Sequence, residues 1–234
     1  MRDWFPLTNY EFYAFVASGM LLVASIDYCF ADAVLVNRTE WTVVQMIFWT
    51  VVSYIAGQIC AAPSSGLIEF VFARVIFRSP TEVALGLGKR RWREHVAAWL
   101  FANREYSPLA TKVRDRIKSG AAAKLGMGVA NLDGEHIFQV AFPAARASAD
   151  TVTRLESFQN SYGFCRNICF VALLATGMLT YKYWHGSAQK DGWLAVGALA
   201  VAIGMYGRFL KYYAAYGRQV LTSYHHSLSA YSTG

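Results

Sequence analysis

The chain has 234 residues, of which 55% are hydrophobic and 16% are charged. A soluble domain usually has about 25% charged residues, so this composition argues against an ordinary soluble protein and favours a multi-pass membrane protein. The formal net charge of +7 is compatible with nucleic-acid binding, but membrane proteins also collect Lys and Arg on their cytoplasmic side, and nucleic acid is not the partner we expect.

Two apolar segments near the amino terminus are each long enough to cross a bilayer, which requires about 20 mainly apolar residues. The first covers residues 12–36 and follows Thr8 and Glu11, whose spacing is that of a helix capping box. Its amino-terminal flank is not basic, so we expect a retained span rather than a cleaved signal peptide. The second covers residues 41–62. Residues 1–62 are therefore predicted to form the first transmembrane helix pair.

Four polar side chains lie in the outer half of the predicted spans, namely Asp27, Asp32, Gln45 and Lys182. Polar and ionisable residues at such a depth are costly and often functional. One interpretation is an ion or proton path in which Asp27 is the key acid. The other is a polar cluster whose hydrogen bonds are satisfied within the protein, and the pattern leaves both open.

Residues 63–160 are predicted to form a cytoplasmic helical region that begins with a connector at the membrane surface. A Pro-Ser-Ser-Gly run is typical of a helix break, so Pro63 and Gly66 are predicted to form a hinge where the chain leaves the bilayer. Beyond this hinge, Arg74 and Arg78 lie one helical turn apart. We expect both side chains to reach lipid phosphates.

Short helices are predicted to follow in this cytoplasmic region. Ser79 is predicted to cap the first of them, because a proline follows it at the first helical position. A second helix is predicted to begin at Ser107 and to end near Gly120, and residues 121–134 are predicted to form a loop or a mobile hinge. Asp133 is expected to cap a third helix.

A basic cluster follows the helix that Ser79 is predicted to cap. It consists of Lys89, Arg90, Arg91 and Arg93, and an amphipathic aromatic stripe comes after it. This combination suits the surface of an anionic membrane. The alternative is a solvated charged turn that leads into an ordinary core helix.

Residues 161–213 are predicted to form the second transmembrane pair, with spans over 164–184 and 193–213. The apolar periodicity extends beyond both spans, so we predict two long antiparallel helices that continue into the cytoplasm. Residues 214–234 are predicted to form the cytoplasmic C-terminal helix and tail. Basic residues expected to anchor the inner interface, or to bind an acidic lipid head group, are Arg166, Arg208 and Lys211.

The distribution of charge predicts the orientation of the chain. The central region from Pro63 to Tyr162 holds 14 Lys or Arg against 9 Asp or Glu, whereas the predicted loops 37–40 and 185–192 each carry one base and one acid. Cytoplasmic segments are the ones that carry an excess of Lys and Arg. Both termini and the central region are therefore predicted to be cytoplasmic, and the protein is predicted to lie in a bacterial inner membrane.

The sequence carries no motif for catalysis, and we predict neither a catalytic residue nor a metal or cofactor. The four cysteines form no CxxC pair, and buried apolar thiols are a simpler explanation for them than a metal or redox site. A lipid-acting enzyme would require acid–base groups, and no nucleophile or metal constellation accompanies the available ones. These candidate groups are Glu69, His95, Glu135 and His136.

Several short motifs point to a family. They are GQ at 57–58, SS at 64–65 with Glu69, RLESFQNSYGFCRN at 154–167, RFLKYY at 208–213 and YGRQVL at 216–221. In these motifs the chain resembles a family of uncharacterised bacterial inner-membrane proteins, which have two paired spans around a cytoplasmic middle. Some members belong to phage-defence or other accessory gene clusters. The resemblance covers the two membrane pairs and implies no role for any single residue.

The expected fold is all-α, a polytopic membrane protein with four transmembrane helices and a helical cytoplasmic collar. The first functional hypothesis is a non-enzymatic, homo-oligomeric effector or channel-like assembly, controlled through the cytoplasmic region and embedded among anionic head groups. The second is an anchor or scaffold subunit that recruits a cytosolic protein partner, and the third is a lipid-acting enzyme. The glycines expected to let helices approach closely are Gly19, Gly57, Gly177, Gly197, Gly204 and Gly207.

Overall fold

The computed structural model of the protein describes residues 9–76, 78–88, 106–186 and 188–230. In these ranges the chain is helical or forms short connections without strands, which confirms the all-α prediction. The α-helices of these ranges are α1 (Asn9–Phe30), α2 (Val43–Ser64), α3 (Pro80–Leu85), α4 (Thr111–Leu125), α5 (Gly134–Arg146), α6 (Ala149–Gly186) and α7 (Gln189–Ala230). A π-helix (Ser65–Ile76) continues α2, and a 3₁₀-helix (Val129–Asn131) precedes α5.

Three of the described helical segments are long and apolar enough to cross a membrane. They are Val43–Phe70, Ala149–Gly186 and Gln189–Ser229. The apolar segment Ala14–Phe30 within α1 is shorter. The structure is therefore that of an all-helical protein with three candidate membrane-spanning helices.

The chain divides into two compact units. The first unit consists of Met1–Val71 and Gly163–Tyr206, and the second consists of Phe72–Tyr162 and Gly207–Gly234. Helices α6 and α7 contribute residues to both units.

In the first unit, α1 and α2 approach each other closely at two glycines. A Cβ atom added at Gly19 would lie 1.6 Å from the carbonyl oxygen of Ser53, and one added at Gly57 would lie 2.0 Å from the carbonyl oxygen of Phe15. The hydroxyl of Ser18 donates to the carbonyl of Ala14 within α1, so this buried polar group is satisfied without a partner on α2. The two glycines therefore let the helix backbones touch.

The surface of the first unit is unusually apolar. All but three of the large apolar side chains that are exposed in the described residues belong to it. The exceptions, in the second unit, are Leu125, Met127 and Val129.

The predicted helix break at Pro63 and Gly66 is wrong. Pro63 lies inside α2, and the chain stays helical as the π-helix begins at Ser65. The type of helix changes instead, from α to π at Ser65, and Pro63 lies two residues before this change without an N–H to donate. A hinge at Pro63 and Gly66 stays a prediction.

The second unit has a hydrophobic core. Buried residues of α3, α4 and α5 meet buried residues from the amino-terminal end of α6 and the carboxyl-terminal part of α7. Next to them, the ring of Tyr162 on α6 makes edge contacts with Phe209, Tyr213 and Tyr216 on α7. The largest fully buried members of this core are Leu85, Ile117, Ile137, Val220 and Leu221.

Helix caps in the second unit were predicted better than helix ends. Ser79 occupies the N-cap position of α3, but its side chain makes no capping hydrogen bond. The Asp133 carboxylate does cap α5, because it accepts from the backbone N–H of His136 at 2.8 Å. That hydrogen bond holds the pKa of the Asp133 carboxyl below its usual value. In contrast, α4 begins at Thr111 rather than Ser107 and continues through Gly120 into the predicted loop.

Candidate functional site

Asp27, the predicted key acid of the outer polar cluster, is a buried acceptor near the end of α1. Its carboxylate accepts from the backbone N–H groups of Leu35 and Val36 at 2.8 and 2.9 Å. Only 4% of the residue is exposed. Two backbone donors compensate the burial of the carboxylate, so the side chain fixes the turn that follows α1.

The neighbouring Tyr28 links α1 to α6 and α7 in the first unit. Its hydroxyl donates to the Asp191 carboxylate at 2.7 Å, while the Lys182 ammonium donates to the Tyr28 carbonyl. The Lys182 nitrogen also lies 4.2 Å from the centre of the Tyr28 ring, which is a cation–π contact. Asp191 is 1% exposed, whereas Tyr28 and Lys182 are half-buried, so these contacts form a partly buried polar junction.

The sequence interpretation included Lys182 in this junction but missed Tyr28 and Asp191. A signal was present, since Asp191 is the one acid in the predicted loop 185–192. The two other predicted members make different contacts. Asp32 is exposed in the turn after α1, and Gln45 forms a capping box with Thr42 at the start of α2.

A second polar site joins the π-helix to α6, also in the first unit. The carboxylate of Glu69 accepts from the Arg166 guanidinium at 2.8 Å, and each side chain is 16% exposed. The hydroxyl of Ser65 lies 3.5 Å from the same carboxylate. A charge in such an apolar setting is stable only with a partner, so each side chain stabilises the other. The role of Arg166 at the inner interface stays a prediction.

A hydrogen bond close to this ion pair is more completely buried than the ion pair itself. The hydroxyl of Ser64 and the amide oxygen of Asn167 are 2.6 Å apart, and the two residues are 0% and 2% exposed. We call these two neighbouring contacts, Glu69–Arg166 and Ser64–Asn167, the inner polar pair site. All four residues of this site lie in the motifs on which the family resemblance is based. Those motifs do not predict which of the four residues contact each other.

The other predicted interfacial residues have varied surroundings. Arg78 is mostly buried beside Glu82, with 11% of its side chain exposed, whereas Arg208 and Lys211 are exposed on α7. The side chain of Arg74 and the whole cluster of Lys89, Arg90, Arg91 and Arg93 lie outside the described residues.

The candidate acid–base groups are divided between the two units. Glu69 belongs to the first unit and is paired with Arg166, whereas Glu135 and His136 belong to the second. His95 lies outside the described residues. Within the ranges that the structure describes, no group of three or more His, Cys, Asp or Glu residues could hold a metal ion.

Comparison with known proteins leaves the family open. No family model matches the chain, and neither a curated protein nor a solved structure matches it. The class that the structure defines is an all-helical protein with several helices compatible with a membrane. The family resemblance stays a prediction.

Proposed function

We propose that the protein is a multi-pass integral protein of the bacterial inner membrane, with α1, α2, α6 and α7 as four spans. The observation that carries this proposal is the concentration of exposed apolar side chains in the first unit. In water such a surface favours aggregation, whereas lipid would cover it at no cost.

The proposed orientation places both termini and the second unit in the cytoplasm. The excess of Lys and Arg between Pro63 and Tyr162 supports this orientation. Trp184 and Trp193, near the connection between α6 and α7, are 78% and 70% exposed, as expected of aromatic residues at the outer interface.

In this membrane the protein acts as a non-enzymatic, homo-oligomeric effector or channel-like assembly. Four helices alone form a small bundle, so a conducting path would lie between copies. Gly177, Gly197 and Gly204 support association between copies, because a Cβ added at any of them would meet no atom within 4 Å. Phage defence is the setting that the family resemblance suggests.

In this proposal the inner polar pair site controls the activity of the assembly. The π-helix that carries Glu69 is continuous with the chain of the second unit, and Arg166 follows directly from the part of α6 in that unit. A signal bound by the second unit could therefore bias the Glu69–Arg166 pair between formed and broken states. The formed pair corresponds to the resting state.

The experiment measures membrane potential in bacteria that express the protein, with a potential-sensitive dye, before and after phage infection. We expect the wild type to depolarise cells after infection only. Glu69→Gln breaks the pair and is expected to depolarise cells without infection. Glu156→Gln, which changes an exposed carboxylate of α6, is the matched control and should behave as the wild type.

An unchanged potential in both the wild type and the Glu69→Gln variant, with the protein present in the membrane, would overturn the effector proposal. If a stoichiometric cytosolic protein then copurified with the tagged chain, the anchor or scaffold hypothesis would replace it.

A further inference from the structure

A groove lies between α6 and α7 in the first unit, next to the connection that joins these two helices. Its volume is about 420 Å³, which lies in the range of pockets that hold small molecules, about 300–1,000 Å³. The lining residues of each helix are mostly three or four positions apart, so each helix contributes one face. Thr180, Tyr183 and Trp184 line the groove on α6, and Gln189, Trp193 and Val196 line it on α7.

Gly192 lets the two helices form this groove without filling it. A Cβ added at Gly192 would lie 3.4 Å from two ring carbons of Tyr183, so the ring rests close to the backbone of α7. The indole side chains of Trp184 and Trp193 are in contrast 78% and 70% exposed. The groove is therefore open along the surface of the first unit.

The polarity of the groove changes along its length. Gln189 is the first residue of α7, and Lys190 beside it is exposed. Val196 lies two turns further along α7, about 10 Å away along the helix axis. In the proposed topology the Gln189 end lies at the outer head groups and the Val196 end lies among acyl chains, with the two indoles near the boundary that tryptophan favours.

The polar side chains of the groove have hydrogen-bonding capacity for a ligand. Within the described residues, the Thr180 hydroxyl and the Gln189 amide make no hydrogen bond, and Lys190 forms no ion pair. In a bilayer, packing and polar contacts hold two groups together, because lipid tails are as apolar as the side chains that they touch. The groove supplies both kinds of contact.

We propose that this groove binds one phospholipid of the outer leaflet. An acyl chain lies along Tyr183 and Val196, and the phosphate lies near Gln189 and Lys190. An amide N–H and an ammonium group both donate to phosphate oxygens, and the ammonium also pairs with the negative charge. A second copy of the chain would bring the same positive Lys190 to the groove, so charge favours the lipid. The inference rests on the proposed membrane location, but it requires neither conduction nor association between copies.

The experiment uses the full chain, purified in dodecyl maltoside, freed of lipid and titrated with palmitoyl-oleoyl phosphatidylglycerol. Native mass spectrometry after release from the micelle counts the lipids bound to each chain. We expect one lipid per chain to bind saturably, before any further lipid. Val196→Trp places a large side chain at the apolar end of the groove and should weaken this binding by about tenfold or more. Lys190→Gln removes the partner of the phosphate and should also weaken it.

Two further variants make the result specific to the groove. Val201→Trp is the same substitution at a position of α7 outside the groove, where the valine is 48% exposed, and it should bind as the wild type. Trp193→Ala removes one wall instead of filling the groove. Weaker binding by Trp193→Ala, with wild-type circular dichroism, would support the site even if Val196→Trp did not fold.

Absence of a saturable first lipid on the wild type would overturn the proposal. So would wild-type affinity in a folded Val196→Trp or Trp193→Ala, or a loss of dimers in Val196→Trp while lipid binding stays unchanged. Unchanged affinity in Lys190→Gln would overturn the position of the phosphate. Fractionation of the cells tests the membrane location separately: a chain that is recovered with the membrane but binds no lipid in this way overturns only this inference, whereas a chain recovered without the membrane overturns the proposed function as well.

Discussion

At the scale of single residues, the glycines of the first unit have two kinds of surroundings. Gly19 and Gly57 lie against the backbone of the opposite helix, whereas a Cβ at Gly177 or Gly204 would have open space around it. The first pair is required for packing between α1 and α2. The second pair is available to lipid or to another copy of the chain.

Replacing Gly19 by alanine is therefore expected to destabilise the protein. The new Cβ would lie 1.6 Å from the backbone oxygen of Ser53, and no side-chain rotation can relieve a clash with backbone. Helices α1 and α2 would have to separate, and overpacking of this kind costs about 1–3 kcal/mol. The thermal unfolding midpoint of the detergent-purified variant measures the effect.

Gly186→Ala, at the end of α6, is the matched control for this substitution. Its Cβ meets no atom within 4 Å, and alanine is favoured over glycine within a helix by up to about 1 kcal/mol. The unfolding midpoint of this variant should stay unchanged or rise. A fall equal to that of Gly19→Ala would contradict the assigned contact between α1 and α2.

At the scale of elements, the Glu69–Arg166 pair connects the π-helix to α6. Both side chains are largely buried in an apolar unit. Under such conditions the attraction between the charges repays their desolvation only while both partners are present. Loss of one partner should therefore cost more than loss of both.

A double-mutant cycle tests this dependence. Glu69→Gln and Arg166→Gln are each expected to lower the free energy of unfolding by about 3 kcal/mol, because each removes the opposite charge from one member of a largely buried ion pair. The double variant is expected to lose less than the sum of the two. Unfolding by denaturant in detergent micelles gives the three free energies.

Arg208→Gln provides the control for charge removal, because Arg208 is exposed on α7. Its effect should stay within about 0.5 kcal/mol. Additive losses in the cycle would show that the two side chains contribute independently, which is incompatible with a buried pair.

The ends of helices are harder to predict from the sequence than the positions of their N-caps. The patterns identified Ser79 and Asp133 as the N-cap positions of α3 and α5, because caps depend on local residues, although of these two side chains only Asp133 makes the capping hydrogen bond. They placed the end of α4 near Gly120, although the helix continues to Leu125. A Cβ at Gly120 would lie 2.6 Å from Leu228, so this glycine serves a tertiary contact that no local pattern reveals.

At the scale of the whole molecule, the candidate sites were only partly predictable for the same reason. Buried charges such as Asp27, Glu69 and Arg166 stand out in apolar segments of the sequence. Their partners depend on which helices meet, and 97 positions separate Glu69 from Arg166. Composition therefore indicates that a polar site exists, whereas the fold decides which residues form it.

The proposed orientation of the whole chain leads to a labelling prediction. Two exposed residues are replaced by cysteine, Glu40 between α1 and α2 and Ser119 on α4, in a background where the half-buried Cys29 is serine. A membrane-impermeant maleimide should label Glu40→Cys in intact cells whose outer membrane is permeable, because that connection faces outward in the proposed topology. Ser119→Cys should react only after the inner membrane is opened. The reverse pattern would invert the topology, and labelling of both positions in intact cells would exclude a membrane-embedded first unit.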